Sequence, residues 1–183
     1  MASLLKEIFK INWNSSVYLL ILANLITIAF ALIKNWDFSI LLLIYWCQGA
    51  IIVLFTCIKV YKLNKNNFSE TLFFIFLFIT TYILYLGVIF INLGTKFTLS
   101  IFIILCILSF FVNHLFSFKK NFESDAKKKR TIKQYANLAF LRIAPMHIIV
   151  LPILSFTNKT LLVIFLILKI IVDVVSHNYE HKI

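Results

Sequence analysis

Six stretches of the chain are predominantly apolar: residues 17–33, 38–60, 71–93, 97–118, 136–156 and 161–177. About 20 consecutive apolar residues cross a bilayer as a helix, and each stretch approaches that length. Barrel strands alternate apolar and polar positions, whereas Leu41-Leu42-Leu43-Ile44 and the run Phe73 to Ile79 do not alternate at all. The pattern therefore predicts an all-α polytopic transmembrane helical bundle of about six spans, forming a single membrane domain over residues 1–183. Ahead of the first span, Leu4, Leu5, Ile8, Phe9 and Trp13 interleave with Lys6, Glu7 and Lys10, a pattern that suits an interfacial helix.

Composition agrees with this reading. The chain is 62% hydrophobic and 14% charged, whereas soluble domains run near 45–50% and about 25%, so neither a soluble globular domain nor a disordered chain fits. Cys47, Cys57 and Cys106 are too scattered for a disulfide framework or a four-cysteine zinc site. The connections between spans are short, so nothing outside the membrane is large enough to bury a core of its own.

The net charge of +11 resolves into a topology signal. With the N-terminus cytoplasmic, inner segments and their flanks hold Lys6, Lys10, Lys59, Lys62, Lys65, Lys119, Lys120, Lys127, Lys128, Lys129, Arg130, Lys133 and Lys182. The outer ones hold Lys34, Lys96 and Lys159, and thirteen against three predicts N-in and C-in in a cell membrane. The densest cluster, Lys127-Lys128-Lys129-Arg130, falls in a basic cytoplasmic loop at 119–135 and reads as a contact for anionic lipid. No aromatic platform or folded module accompanies it, so nucleic acid is not an expected partner.

The remaining two basic residues, Arg142 and Lys169, lie inside predicted spans. A Lys, Arg or Asp at the bilayer centre costs roughly 2.5–3.5 kcal/mol, while each Leu, Ile, Phe or Val returns about 0.3–0.6. The last span carries both Lys169 and Asp173, so it needs partners, and depth along antiparallel neighbours predicts an Arg142–Asp173 ion pair. Lys169, Asp173 and His177 recur at i, i+4, i+8, with Glu180 and His181 continuing the line on one helix face. Asn113 and His114, His147, Gln48 and Asn24 fall at comparable depth in other spans. Together they predict an intramembrane polar cluster open to the cytoplasm. Pro145 and Pro152 each free a backbone carbonyl in the fifth span.

Asp173, His177 and His181 offer metal-ligand types, but this spacing is common on any helix, and no cofactor is expected. No serine sits in a Gly-rich nucleophile loop, no His-Glu-x-x-His occurs, and no Cys-x-x-Cys is present, so the familiar intramembrane hydrolase and thiol-relay templates fail. Gly49, Gly87 and Gly94 supply no Gly-rich helix break of the kind rocking transporters use.

Asn24, Trp36-Asp37, Tyr45-Trp46-x-Gln48, Lys59, Ser109 to His114 with Ser117-Phe118, Arg142-Ile143-x3-His147 and Lys169-x3-Asp173-x3-His177 together form a recognisable series. In these motifs the chain resembles a family of uncharacterised prokaryotic integral membrane proteins known as a domain of unknown function. The resemblance implies the same membrane fold and no assigned activity. The leading expectation for function is an accessory or scaffold component of a membrane complex, with other membrane subunits as partners. Ion, proton or small-solute transport through the polar pocket comes next, and a metal-dependent membrane enzyme third.

Overall fold

A computed structural model describes residues 11–63, 68–93, 99–153 and 159–182, with side chains described outside 84–85, 88–93, 144–153, 159–161 and 182. The described residues form six helices and no strand: α1 (Ser15–Ile33), α2 (Phe38–Leu63), α3 (Phe68–Leu93), α4 (Ile101–Lys127), α5 (Ile132–Ile153) and α6 (Lys159–Lys182). Four are long and apolar enough to cross a membrane: α1, α2, α4 and, within α6, Leu162–His181; the described part of α3 contributes a shorter apolar stretch, Phe68–Ile83.

Local chemistry sets the helix ends. Asn14 caps α1 by accepting from the Val17 N–H at 3.1 Å, and Ser100 caps α4 by accepting from the Ile103 N–H at 3.4 Å. α1 stops where Asn35 adopts a left-handed φ of 46°, letting the Trp36 N–H reach back to the Ala31 carbonyl at 3.0 Å. This is the Schellman closure, with asparagine in the place glycine usually takes.

The basic segment 119–135 is not the loop that its charge suggests. α4 continues through it to Lys127, and only residues 128–131 link α4 to α5. The reason is a second amphipathic pattern beyond the apolar span: Ser117, Asn121 and Asp125 recur at i, i+4, i+8 and turn toward the bundle, leaving lysines on the outside. Lys129, at φ 46°, turns the chain. Thr131 and Gln134 then start α5 with a reciprocal cap, the Gln134 N–H donating to Thr131 Oγ1 at 3.3 Å and the Thr131 N–H to Gln134 Oε1 at 2.9 Å.

Close packing runs from α1 to α4, α2, α5, α6 and back to α1, a closed ring of five helices, with α3 resting against α2 and more lightly against α5. Gly49 makes room for α3: a Cβ there would lie 2.0 Å from the Tyr82 hydroxyl. Trp46 also binds across this seam, donating its indole N–H to the Tyr82 carbonyl at 3.3 Å.

The distribution of side chains is inverted relative to a protein built for water. Leu22, Phe73, Phe76, Ile83, Val112, Phe140 and Ile171 point outward, while Asn24, Gln48, Lys59, Asn113, His114, Asp125, Arg142, Lys169 and Asp173 are buried. That arrangement suits an apolar surrounding. Within the ring, an apolar half made by Leu41, Ile44, Tyr45, Phe110, Phe165 and Leu166 adjoins a polar half that extends to the C-terminal ends of α4 and α6.

Candidate functional site

The site is organised along one face of α6, where Lys169, Asp173, His177 and Glu180 stand successively about one turn apart and all are buried. Two clusters form on it.

The deeper cluster centres on Asp173. Its Oδ1 is ion-paired with Lys169 one turn earlier. Its Oδ2 accepts from Asn24 Nδ2 at 3.1 Å and from Gln48 Nε2 at 2.9 Å. Gln48 therefore works as a donor to the carboxylate. The Lys169 ammonium lies 5.0 Å from the Tyr45 ring centroid, a cation–π contact inside the apolar half.

The second cluster gathers residues far apart in sequence. Glu180 Oε1 accepts from Lys59 Nζ at 2.9 Å and Oε2 from Arg142 Nη1 at 2.5 Å. Lys59 reaches Asp125 Oδ2 at 2.7 Å, and Asp125 Oδ1 faces Arg130 at 3.7 Å and His181 at 3.6 Å. One ammonium thus ties α2 to both α4 and α6.

Arg142 therefore pairs with Glu180, and the Arg142–Asp173 pair expected from depth does not form. Glu180 is seven residues beyond Asp173, about 10 Å further along α6, and that is the level at which α5 presents Arg142. Asp173 is meanwhile occupied by Lys169 from its own helix.

The basic cluster also divides differently. Lys127 and Lys129 are exposed. Arg130 is buried and donates to the Glu180 carbonyl at 2.7 Å, and Lys128 donates to the His181 carbonyl at 2.7 Å. Both supply cations to the last carbonyls of α6, where the helix dipole is negative. Burial, with Arg130 beside it, pulls the Lys128 ammonium below its ordinary pKa.

The histidines lie between and beside the clusters. His177 Nε2 is 2.9 Å from Ser16 Oγ on α1, and His114 Nδ1 is 3.4 Å from Arg142 Nη2. Since the guanidinium can only donate, Nδ1 is the acceptor and His114 carries its proton on Nε2. The side chain of His147 lies outside the described residues, as do those of Pro145 and Pro152. Asn113 is buried beside this network without joining it, neither amide atom having a hydrogen-bond partner among the described residues.

Two small cavities flank Arg142. One of about 20 Å³ is bordered by Lys59, His114, Arg142 and Glu180, and one of about 10 Å³ by Tyr45, Gln48, Arg142 and Lys169. Each has room for about one water.

As a metal site the geometry is poor. Asp173 lies outside the group that His177 and His181 form among the described residues. Glu180 takes its place, the three ligand atoms lying within 4.8 Å of one another. Yet Glu180 already binds an ammonium and a guanidinium, and a dication there would face both at close range.

The sequence does not point to Lys59, Asp125 and Arg130 as members of the cluster, and it places Glu180 on the right helix face without its partners. Lys59 and Arg130 were absorbed by the orientation count, and Asp125 lay in what read as a loop. The available signal was Asp125 itself, an acidic residue at helical spacing from Ser117 and Asn121 within a basic run.

No curated protein and no solved structure is detectably similar to the chain. Its residues 9–183 match the model of a family of unknown function (DUF6498), and the chain, an all-helical protein with four membrane-span-like helices, belongs to that family.

Proposed function

We propose that the protein is a multi-pass component of the cell membrane, N-in and C-in, which serves as an accessory or scaffold subunit of a membrane complex. The observation that carries this reading is charge saturation. Among the described residues four buried cations, Lys59, Arg130, Arg142 and Lys169, face three buried carboxylates, Asp125, Asp173 and Glu180, and each of the seven engages an opposite charge. The cavities beside them admit water and nothing larger. Such a core joins α2, α4, α5 and α6 firmly and leaves the apolar exterior as the surface available to neighbours.

The water-sized cavities beside Arg142 support a second reading, proton or ion passage from the cytoplasmic side, in which Asp173 and Lys169 form the inner end of a relay. The apolar half beyond Tyr45 and Phe165 stands against it.

Purified protein in sealed liposomes separates the two. The scaffold reading expects no proton or ion flux above that of empty vesicles, together with a stoichiometric co-purifying membrane subunit under mild extraction. Flux that Asp173→Asn abolishes would overturn it. Orientation is checked by single cysteines at Lys34 and Lys127, of which only the latter should react from the cytoplasmic side.

A further inference from the structure

The outer surface between α1 and α4 carries a feature that the ion-pair core does not use. An apolar trough of about 470 Å³ runs between Leu19, Leu22, Ala23, Ile26 and Phe30 on α1 and Leu105, Leu108, Ser109, Val112 and Asn113 on α4. The helices are antiparallel there: Phe30 meets Phe102 edge to face at one end, 5.1 Å between centroids, and Lys120 Nζ meets Ser15 Oγ at 2.7 Å at the other. From Leu19 to Phe30 the trough is about 16 Å long, close to half the roughly 30 Å hydrocarbon core of a bilayer.

Its two ends differ. Toward Phe30 the trough is wholly apolar. Toward the Lys120 end its lining includes Asn113, 1% exposed, with neither its amide nitrogen nor its amide oxygen hydrogen-bonded among the described residues. A buried amide without partners is costly, most of all against hydrocarbon, where no water can substitute. Beyond Asn113, the same α4 face continues through Phe116 to exposed Lys119 and Lys120. Beside it, Tyr18 on α1 and Trp13 just before that helix stand 58% exposed with their rings 5.8 Å apart, the aromatic pair expected at headgroup level.

We propose that this trough is a binding site for one anionic glycerophospholipid. An acyl chain fills the Leu19-to-Phe30 channel, an ester carbonyl accepts from Asn113, and the phosphate lies between Lys119 and Lys120. About 10 Å of helix separates Asn113 from Lys120, a gap shared by the glycerol backbone and the reach of the lysine side chains. A neighbouring helix fits less well, since its backbone carbonyls are already used within it and it brings no phosphate to Lys119 and Lys120. The site rests on the membrane reading above but not on the scaffold role.

The test is native mass spectrometry of the full chain released from nanodiscs containing equal amounts of phosphatidylglycerol and phosphatidylcholine. Insertion is verified separately by resistance to alkaline extraction, so an inserted protein without bound lipid fails this proposal alone. The expected result is one retained phosphatidylglycerol per chain. Lys119→Gln and Lys120→Gln should each lower retention about fivefold, as removal of one interfacial cation does. Asn113→Leu, close to isosteric, should lower it about threefold. Val112→Trp, which narrows the channel from an exposed position, should abolish it, whereas Ile171→Trp on an exposed face of α6 should change nothing. Equal retention of phosphatidylcholine, undiminished retention in Val112→Trp, or a second protein chain cross-linked across the α1–α4 seam in place of lipid would each overturn it.

Discussion

The two charge clusters on α6 are built on different principles. Around Asp173, one cation and one anion from the same helix are completed by two neutral amides, Asn24 and Gln48. Around Glu180 and Asp125, several cations share two carboxylates across α2, α4, α5 and α6. The first is balanced and has no reserve, because removing either charge strands the other where its substitutes cannot carry charge. The second is a mesh in which each carboxylate has alternative partners. Buried pairs are costly to break in proportion to how completely the surviving ion is stranded, so the two regions should respond differently to the same kind of substitution.

Asp173→Asn should have the largest effect, since it leaves Lys169 buried without a counter-ion. A loss of about 3–5 kcal/mol is expected, measured as thermal unfolding in detergent micelles. Adding Lys169→Met should recover most of that loss, because the stranded charge is gone; failure to recover would show that the carboxylate does more than neutralise Lys169. Lys59→Met should cost less, about 1.5–3 kcal/mol, as Glu180 keeps Arg142 and Asp125 keeps Arg130. An equal or greater loss than in Asp173→Asn would remove the distinction between mesh and pair. Gln48→Leu deletes one neutral donor to Asp173 and should cost about 1 kcal/mol. Smallest of all, Lys127→Gln and Lys129→Gln should stay within about 0.5 kcal/mol, whereas Arg130→Gln, one residue beyond, should exceed 1.5 kcal/mol through its lost contacts with Glu180 and Asp125.

How much of this was legible beforehand follows from sequence separation. Lys169 and Asp173 share a helix face at i, i+4, so their proximity is a property of the helix alone. That they bind each other, with Arg142 left over for Glu180, depends on how far α5 is displaced along α6, which no periodicity encodes. Arg130 and Lys59 were indistinguishable from topology signals because a positive charge just outside a span reads the same whether it faces lipid, water or a buried carboxylate. The helical extension of α4 to Lys127 was hidden by its lysines, which resemble a solvated loop until the Ser117, Asn121 and Asp125 stripe is given something to face.

Hydrophobic runs long enough for spans, the absence of strand alternation and the insertion cost of Lys169, Asp173 and Arg142 are additive properties of residues near one another in the chain. The sequence by itself therefore determined the all-helical architecture and the need for a buried polar core. Pairing within that core depends on distance to a few ångströms between helices joined by distant segments. Only the tertiary structure decided that Arg142 and Lys59 meet at Glu180, that Arg130 and Lys128 close the end of α6, and that Asn113 is left facing an apolar trough.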